Sequence, residues 1–297
     1  PAAAPATPRG APSAPASGRC VRSTPSSTAP TTRTRARKRP GGSGSAGACQ
    51  SERGALNLLL LEAGEVTASG ECVVSGRRAD HLRTVLQVEV GSTVRAGVLD
   101  GPTGTATVRR IHDRSFHLAV DLQQQPAPLR DALLLATPRP KVLMRMLAHA
   151  ASMGFADIVL FRSWRVDKTW MQSRTFEPAV QKQQLMLGLE QAGRTQLPRI
   201  HRFDLFKPMV EDLLPELSLP TSRFVAHPTA ATSTHQLEVA SAPFCLAIGP
   251  DGGFLPYEVD KLGDFGCLPI TCGPHPLRTE TALATLWGQL DLLRTRR

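Results

Sequence analysis

The sequence has no CxxC pair and no HExxH, and its six cysteines (Cys20, Cys49, Cys72, Cys245, Cys267, Cys272) lack the spacing of a disulfide framework. That spacing argues against a structural zinc site, and no metal is expected. Cys267 and Cys272, although close in sequence, read as buried thiols of a reducing compartment. The glycine-bearing segment Gly249–Gly253 has neither the GKS/T of a P-loop nor the spacing of GxGxxG, so it does not read as either of those phosphate cradles. No apolar run reaches the ~18 residues that span a bilayer, so no membrane partner is expected.

The N-terminus lacks acid. Residues 1–54 carry eight Arg and Lys38 against Glu52 alone, +8 of the total +10, which leaves +2 for the other 243 residues. They are rich in Ala, Pro, Ser and Thr and hold no large apolar cluster to offset chain entropy, so they read as a disordered basic tail. The composition suits an organellar transit peptide, which implies a mitochondrion or plastid. The alternative is a non-native extension ahead of a bacterial start near Leu56, which implies the cytoplasm. The basic pI is thus mostly the tail's. Elsewhere one local excess stands out, eight Lys or Arg against three Asp over residues 130–175, either a phosphate footprint or a solvated helix face.

From Leu56 short apolar runs alternate with turns, the pattern of a small β-barrel over 55–124. Asp100-Gly101 marks a hairpin, and Ala79–Val88 reads as a short helix with Leu82, Val85 and Leu86 on one face. Residues 125–131 form a proline-bearing linker. Over 132–297 strands and helices alternate. Strands are expected at Ala132–Thr137, Asp157–Phe161, Ser222–His227, Phe244–Ile248 and Leu268–Thr271. Helices are expected at Pro140–Met153, Phe176–Ala192, Pro256–Leu262 and Thr279–Leu293. That order is an α/β domain with a mostly parallel sheet.

Three loops follow three of these strands: Ala226-His227-Pro228, Ile248-Gly249-Pro250-Asp251-Gly252-Gly253-Phe254, and Thr271-Cys272-Gly273-Pro274 leading into Leu277-Arg278-Thr279-Glu280-Thr281-Ala282. Ligands of open α/β sheets sit beyond the carboxyl ends of strands. Backbone groups and few charges suit a neutral adenine and ribose better than a triphosphate. Thr279 reads as a helix N-cap, with Glu280 placed to suit the helix dipole.

IGPDGGF followed by CGPHPLRTETA, together with LEQAGRTQLPRI at Leu189–Ile200, RPKVLMRML and RRADHLRTVLQVEVG, resembles the methyltransferases that modify N3 of a uridine in small-subunit (16S-type) ribosomal RNA. These belong to the SPOUT superfamily. The resemblance covers about residues 56–293 and implies a PUA-like β-barrel followed by a SPOUT domain whose C-terminal trefoil knot holds S-adenosyl-L-methionine (SAM) in a bent shape. It implies a homodimer that acts on the RNA or on the assembled small subunit. The implied cofactor residues are His227, Pro228, Ile248, Gly249, Pro250, Gly252, Gly253, Thr271, Cys272, Gly273, Leu277, Thr279, Thr281 and Ala282. The chain departs from the family's usual residues at Gln87, His149, Ser152, Cys272, His275 and Pro276.

Arg278, Glu280, Glu190 and Arg194 are the candidate catalytic residues. A cation at Arg278 would stabilise charge developing on the uracil carbonyls as N3 attacks. Glu280 or Glu190 would orient the base or take its proton, and Arg194 would hold a phosphate or a base edge. Arg77, Arg78, His81 and Arg83 in the barrel, with Arg139, Lys141 and Arg165 beyond it, are the candidate RNA contacts; a second basic group lies at Arg109, Arg110, His112 and Arg114. Competing readings are an RNA-binding or ribosome-assembly protein that kept the fold without turnover, and a SPOUT enzyme acting on another RNA.

Overall fold

The computed structural model describes residues 58–238 and 242–295. The basic tail assigned to 1–54 lies outside the described residues. The first sheet has five strands, β1 (Leu59–Leu61), β2 (Glu71–Ser75), β3 (Thr93–Val98), β4 (Thr103–His112) and β5 (Ser115–Gln124), in the order β1-β3-β4-β5-β2. Its apolar residues alternate with polar ones: Cys72 and Val74 of β2 point inward and their neighbours outward, the period of two that a half-buried strand requires. The sheet curls around Leu61, Val74, Leu82, Phe116 and Leu118. Asp100, at φ 57, turns the β3–β4 hairpin where the Asp-Gly pair predicts it. Helix α1 (Arg77–Thr84) starts and stops earlier than the expected Ala79–Val88. Gln87 adopts φ 49, which no helix tolerates, and Val85 is left 64% exposed, so of the expected trio only Leu82 is fully buried.

The second sheet contains β6 (Asp131–Ala136), β7 (Phe155–Phe161), β8 (Arg199–Phe203), β9 (Ser222–Ala226), β10 (Thr232–Ser233), β11 (Phe244–Ile248) and β12 (Cys267–Thr271), in the order β10-β12-β9-β11-β6-β7-β8. Every pair in it is parallel. All six residues of β6 are buried, as a central strand covered on both faces requires. Alternate side chains serve two cores. Leu133 and Leu135 face α2 (Pro140–Met153), α3 (Pro178–Ala192) and α5 (Thr279–Thr295); Leu134 and Ala136 face α4 (Pro256–Asp264) and residues 206–214. Helices α2 and α3 end on Gly154 and Gly193, both left-handed, as their sequences indicate. Where these helices cross, a Cβ on Gly188 would lie 2.0 Å from the carbonyl oxygen of Ala148. Strand β12 is inserted between β9 and β10, and α5 is tied to the segment behind them by Thr234 Oγ1 donating to Gln289 Oε1 at 2.6 Å. This late insertion is what a knotted α/β sheet needs, and the expected two-part architecture is the one found.

The curled sheet docks on the end of α3 and the residues after it. Leu58 N donates to Glu190 O, Asp100 N to Thr195 O and Leu197 N to Asp100 Oδ1, all at 2.7–2.8 Å. Cys245 and Cys267 are buried, and burial pushes the Cys267 thiol up to about 12. Cys272, expected to be buried, is only half-covered, in the loop after β12.

Candidate active site

Strands β9, β11 and β12 are neighbours and parallel, so the loops that leave their carboxyl ends converge. The three loops and the first turns of α5 enclose a cavity of about 270 Å³. Its apolar wall is Ala226, Ile248 and Ile270 from the strand ends with Ala282 and Leu286 from α5. All but two of the residues expected to hold a cofactor line it; Gly273 and Thr281 do not. The sequence reading named Ala226 in the first loop without assigning it to the cofactor, and it missed Ile270 and Leu286, whose signal is their place one residue before the third loop and two turns along α5. It also passed over Asp251, inside the GPDGGF motif, and His275 and Pro276, which were noted only as departures.

The loops are held from behind. Phe254, 6% exposed, stacks on Phe161 with the rings 4° from parallel, which anchors the second loop in the core. Gln289 Nε2 donates to Cys272 O at 3.2 Å and fixes the third. Gly253 takes φ +72, a conformation a β-branched residue does not adopt cheaply, and the Cβ it lacks would meet only Arg165 Nη1, at 4.0 Å. Its bare backbone therefore borders the cavity.

Asp251 is the only carboxylate in the lining, and it is already engaged. It accepts from Thr279 Oγ1 at 3.1 Å and lies 3.6 Å from Arg139 Nε. Thr279 is thus not the N-cap expected of it: Arg278 O accepts the first helical bond, from Ala282 N, and the Thr279 hydroxyl donates to Asp251. Further along, within α2, Arg145 donates to Glu280 Oε1 at 2.9 Å. That hydrogen bond, with a smaller Coulombic pull from Arg145 and Arg278, holds the Glu280 carboxyl below the usual carboxylate range. Glu280 is therefore a firmly ionised group suited to orienting a base and poorly suited to taking its proton. Arg278 is exposed at the same junction, beside Leu277, which lines the cavity.

The other two candidate catalytic residues are not brought to this cavity. Glu190, 9% exposed, accepts twice from Arg77 Nη2, at 2.7 and 3.0 Å, across the joint between α1 and α3. Arg194 lies against Gly154, beside Arg130, Asp131 and Arg294. Two of the barrel residues assigned to RNA serve the fold. Arg77 pairs with Glu190, and Arg78 binds Leu60 O and Glu65, whose carboxyl that hydrogen bond holds down. His81 Nε2 is buried without a hydrogen-bond partner among the described residues, and Arg83 lies over the Phe116 ring and donates to His112 O. Beyond the barrel, Arg139 reaches Asp251, Arg165 donates to Gly252 O at the cavity rim, and Lys141 is exposed.

Residues 125–290 match the model of the RNA methyltransferase domain family. The chain is 27% identical over 236 residues to a ribosomal RNA small subunit methyltransferase E of Treponema pallidum, covering 76% of this chain and 87% of that protein. It is 24% identical over 229 residues to the protein of the same name in Mycobacterium bovis, covering 75% and 87%. The fold matches the crystal structure of a ribosomal RNA small subunit methyltransferase E from Neisseria gonorrhoeae bound to S-adenosyl methionine. There the TM-score is 0.63 at 18% identity, over 80% of this chain and 97% of that one.

Proposed function

The chain belongs to the RNA methyltransferase domain family, and on that premise we propose that it transfers a methyl group from SAM to N3 of a uridine in small-subunit ribosomal RNA. The observation that carries this reading is the cavity: three glycine-bearing loops around a nearly uncharged space whose single acid already has its partners. Its volume of about 270 Å³ lies just below the roughly 300–1,000 Å³ usual for small-molecule pockets. Ile248, Ile270 and Leu286 offer an apolar seat for an adenine, and the 249–253 backbone offers polar groups for a ribose or an amino-acid moiety.

SAM supplies a methyl group on a sulfonium, already a good leaving group, so the protein's share is positioning and electrostatics. Glu280, locked by Arg145, orients the base. Arg278, exposed at the rim, faces the charge that builds on the uracil carbonyls as N3 attacks. The uridine must leave its helix or lie in a single strand to reach them. A homodimer fits the same picture: Leu277, in the loop ahead of the cavity-bearing helix, and Leu292, near its C-terminal end, are 41% and 52% exposed, apolar surface that a second copy would cover.

Arg278→Ala tests the chemistry. An interaction made mainly in the transition state lowers the barrier without tightening cofactor binding. Single-turnover methylation at saturating SAM should fall by about 10²–10³, as for removal of an oxyanion-hole donor. SAM affinity should hold, and Arg278→Lys should restore only part of the rate. A wild-type rate in Arg278→Ala, or methylation mapped by mass spectrometry to an atom other than uridine N3, defeats the assignment.

A further inference from the structure

Beyond the cavity, the same edge of the sheet carries a second feature. Residues 162–168 follow the carboxyl end of β7, so they emerge on the cavity side of the parallel sheet. Their backbone is rigidly held: Ser163, 1% exposed, donates through Oγ to Glu258 Oε2 at 3.2 Å, Trp164 N donates to Glu258 Oε1 at 2.9 Å, and Val166 is buried. Glu258 itself is 2% exposed. This buried anchoring presents the Trp164 indole outward, 79% exposed.

Trp164 lines an open, apolar groove of about 280 Å³ together with Leu205 and Tyr257. Leu205 is 56% exposed and Tyr257 47%. The chain has three tryptophans and a single tyrosine, and this groove holds that tyrosine and one tryptophan, both in reach of solvent. An exposed indole held on a fixed backbone needs a reason, since apolar surface in water favours a partner. The charge around it points to which. Arg162 and Lys207 line the groove; Arg162 Nε donates to Asp204 O at 3.0 Å, Lys207 lies 3.8 Å from Glu211 with 63% of its side chain exposed, and the carboxylate in the lining, Glu258, is buried and occupied by donors. The next residue, Arg165, reaches the opposite way to Gly252 O at the cavity rim. One dipeptide thus faces both the groove and the cofactor loops.

We propose that the Trp164–Tyr257 groove is a stacking platform for unpaired RNA bases flanking the target nucleotide, with Arg162 and Lys207 meeting the phosphates. Aromatic faces with interleaved cations are the chemistry that binds single-stranded nucleic acid without reading its sequence. The proposal rests on the reading that the substrate is RNA presented unpaired at the cavity, and it adds where the neighbouring nucleotides lie. A folded protein partner or a second copy of this chain would also cover apolar surface, but neither calls for the two cations.

The test is fluorescence anisotropy of the full chain with a short fluorescein-labelled oligouridine, alongside thermal melts, SAM titration and sedimentation. Trp164→Ala should weaken RNA binding by about tenfold, Trp164→Phe should restore most of it, and Tyr257→Ala should lose a comparable factor. Arg162→Ala should reduce the slope of log affinity against log salt by about one, whereas Trp164→Ala should leave that slope in place. Unchanged RNA affinity in both aromatic variants overturns the proposal. So does a change of sedimentation on Trp164→Ala, because a second copy would then be the occupant. A wild-type protein that binds oligouridine through Trp164 yet methylates a different atom would sink the uridine-N3 reading and leave this one standing.

Discussion

Glu190 and Arg77 offer the sharpest test, because sequence and structure assign them different jobs. The motif places Glu190 in catalysis and Arg77 on RNA; the structure pairs them with each other across the joint between barrel and methyltransferase sheet. Their burial is unequal: 52% of the Arg77 side chain is exposed against 11% for Glu190. Arg77→Ala therefore strands a carboxylate with little access to water. A fully buried pair loses about 3–5 kcal/mol when one partner goes; solvent around Arg77 reduces that to about 2 kcal/mol. Glu190→Gln keeps an acceptor and leaves an arginine that can turn to water, so its cost should be under about 1 kcal/mol. In the double variant the neutral amide no longer needs a cation, and stability should recover by about 1 kcal/mol relative to Arg77→Ala. For a folded part of this size each kcal/mol moves Tm by roughly 2–4 °C, so the three variants separate in a melt. Single-turnover methylation at saturating SAM completes the assay. If Glu190→Gln melts like the wild type but transfers methyl a hundredfold or more slowly, the carboxylate acts on the RNA and the structural assignment is wrong.

Three further outcomes follow from the packing. Gly188→Ala, which on an exposed helix would gain about 1 kcal/mol from propensity, should instead destabilise by about 3 kcal/mol or more. Its Cβ would sit 2.0 Å from the Ala148 carbonyl oxygen, and a melt at or above wild type would show that α2 and α3 do not cross there. Ala282→Leu keeps a good helix former but fills the cavity that Ala282 lines, so calorimetric SAM affinity should drop at least tenfold with Tm nearly unchanged. Arg294→Ala should cost about 2–4 kcal/mol at neutral pH, because Arg294 Nη1 holds both oxygens of buried Asp131. Burial already pushes the Asp131 carboxyl above its ordinary value. For an acid whose folded pKa lies above its unfolded one, ionisation costs stability at high pH and protonation relieves it. The Tm gap between Arg294→Ala and wild type should therefore narrow as pH falls toward that raised pKa, and a gap that widens would reverse the assignment.

What the sequence made legible was local. The three loops each follow a strand of the expected type, and parallel neighbours must send such loops the same way, so the place of the cavity and most of its lining were legible, although Asp251 within GPDGGF was passed over and Gly273 and Thr281 fall outside. Helix ends at Gly154 and Gly193 were equally readable. Pairings over long separations were not. Nothing in the spacing of Arg77 and Glu190, 113 residues apart, says that they meet, nor that Arg139 and Arg145 of α2 close on Asp251 and Glu280. Strand β8 was missed because Arg199, His201 and Arg202 make it polar, a pattern an edge strand permits and a buried one does not. The α1 terminus was misread because the left-handed backbone at Gln87 carries no glycine to announce it.

These long-range contacts connect the two sheets to the site in one line. The barrel docks on Glu190, Thr195 and Leu197 at the end of α3. Helix α3 meets α2 at Gly188, so closely that no side chain fits between them. Arg139, the residue that caps the start of α2, lies 3.6 Å from Asp251 of the cavity's second loop, and Arg145, about one turn from the crossing at Ala148, pairs with Glu280 at the head of α5. Each joint is a backbone contact or an ion pair with a fixed partner, and packed helices transmit a displacement rather than absorb it. The barrel is thereby tied to the elements that frame the cavity. LEQAGRTQ thus lies at the joint between the barrel and the helices that reach the cavity, and not in the cavity lining. A change at this joint should alter which nucleotide reaches Arg278, even where SAM still binds.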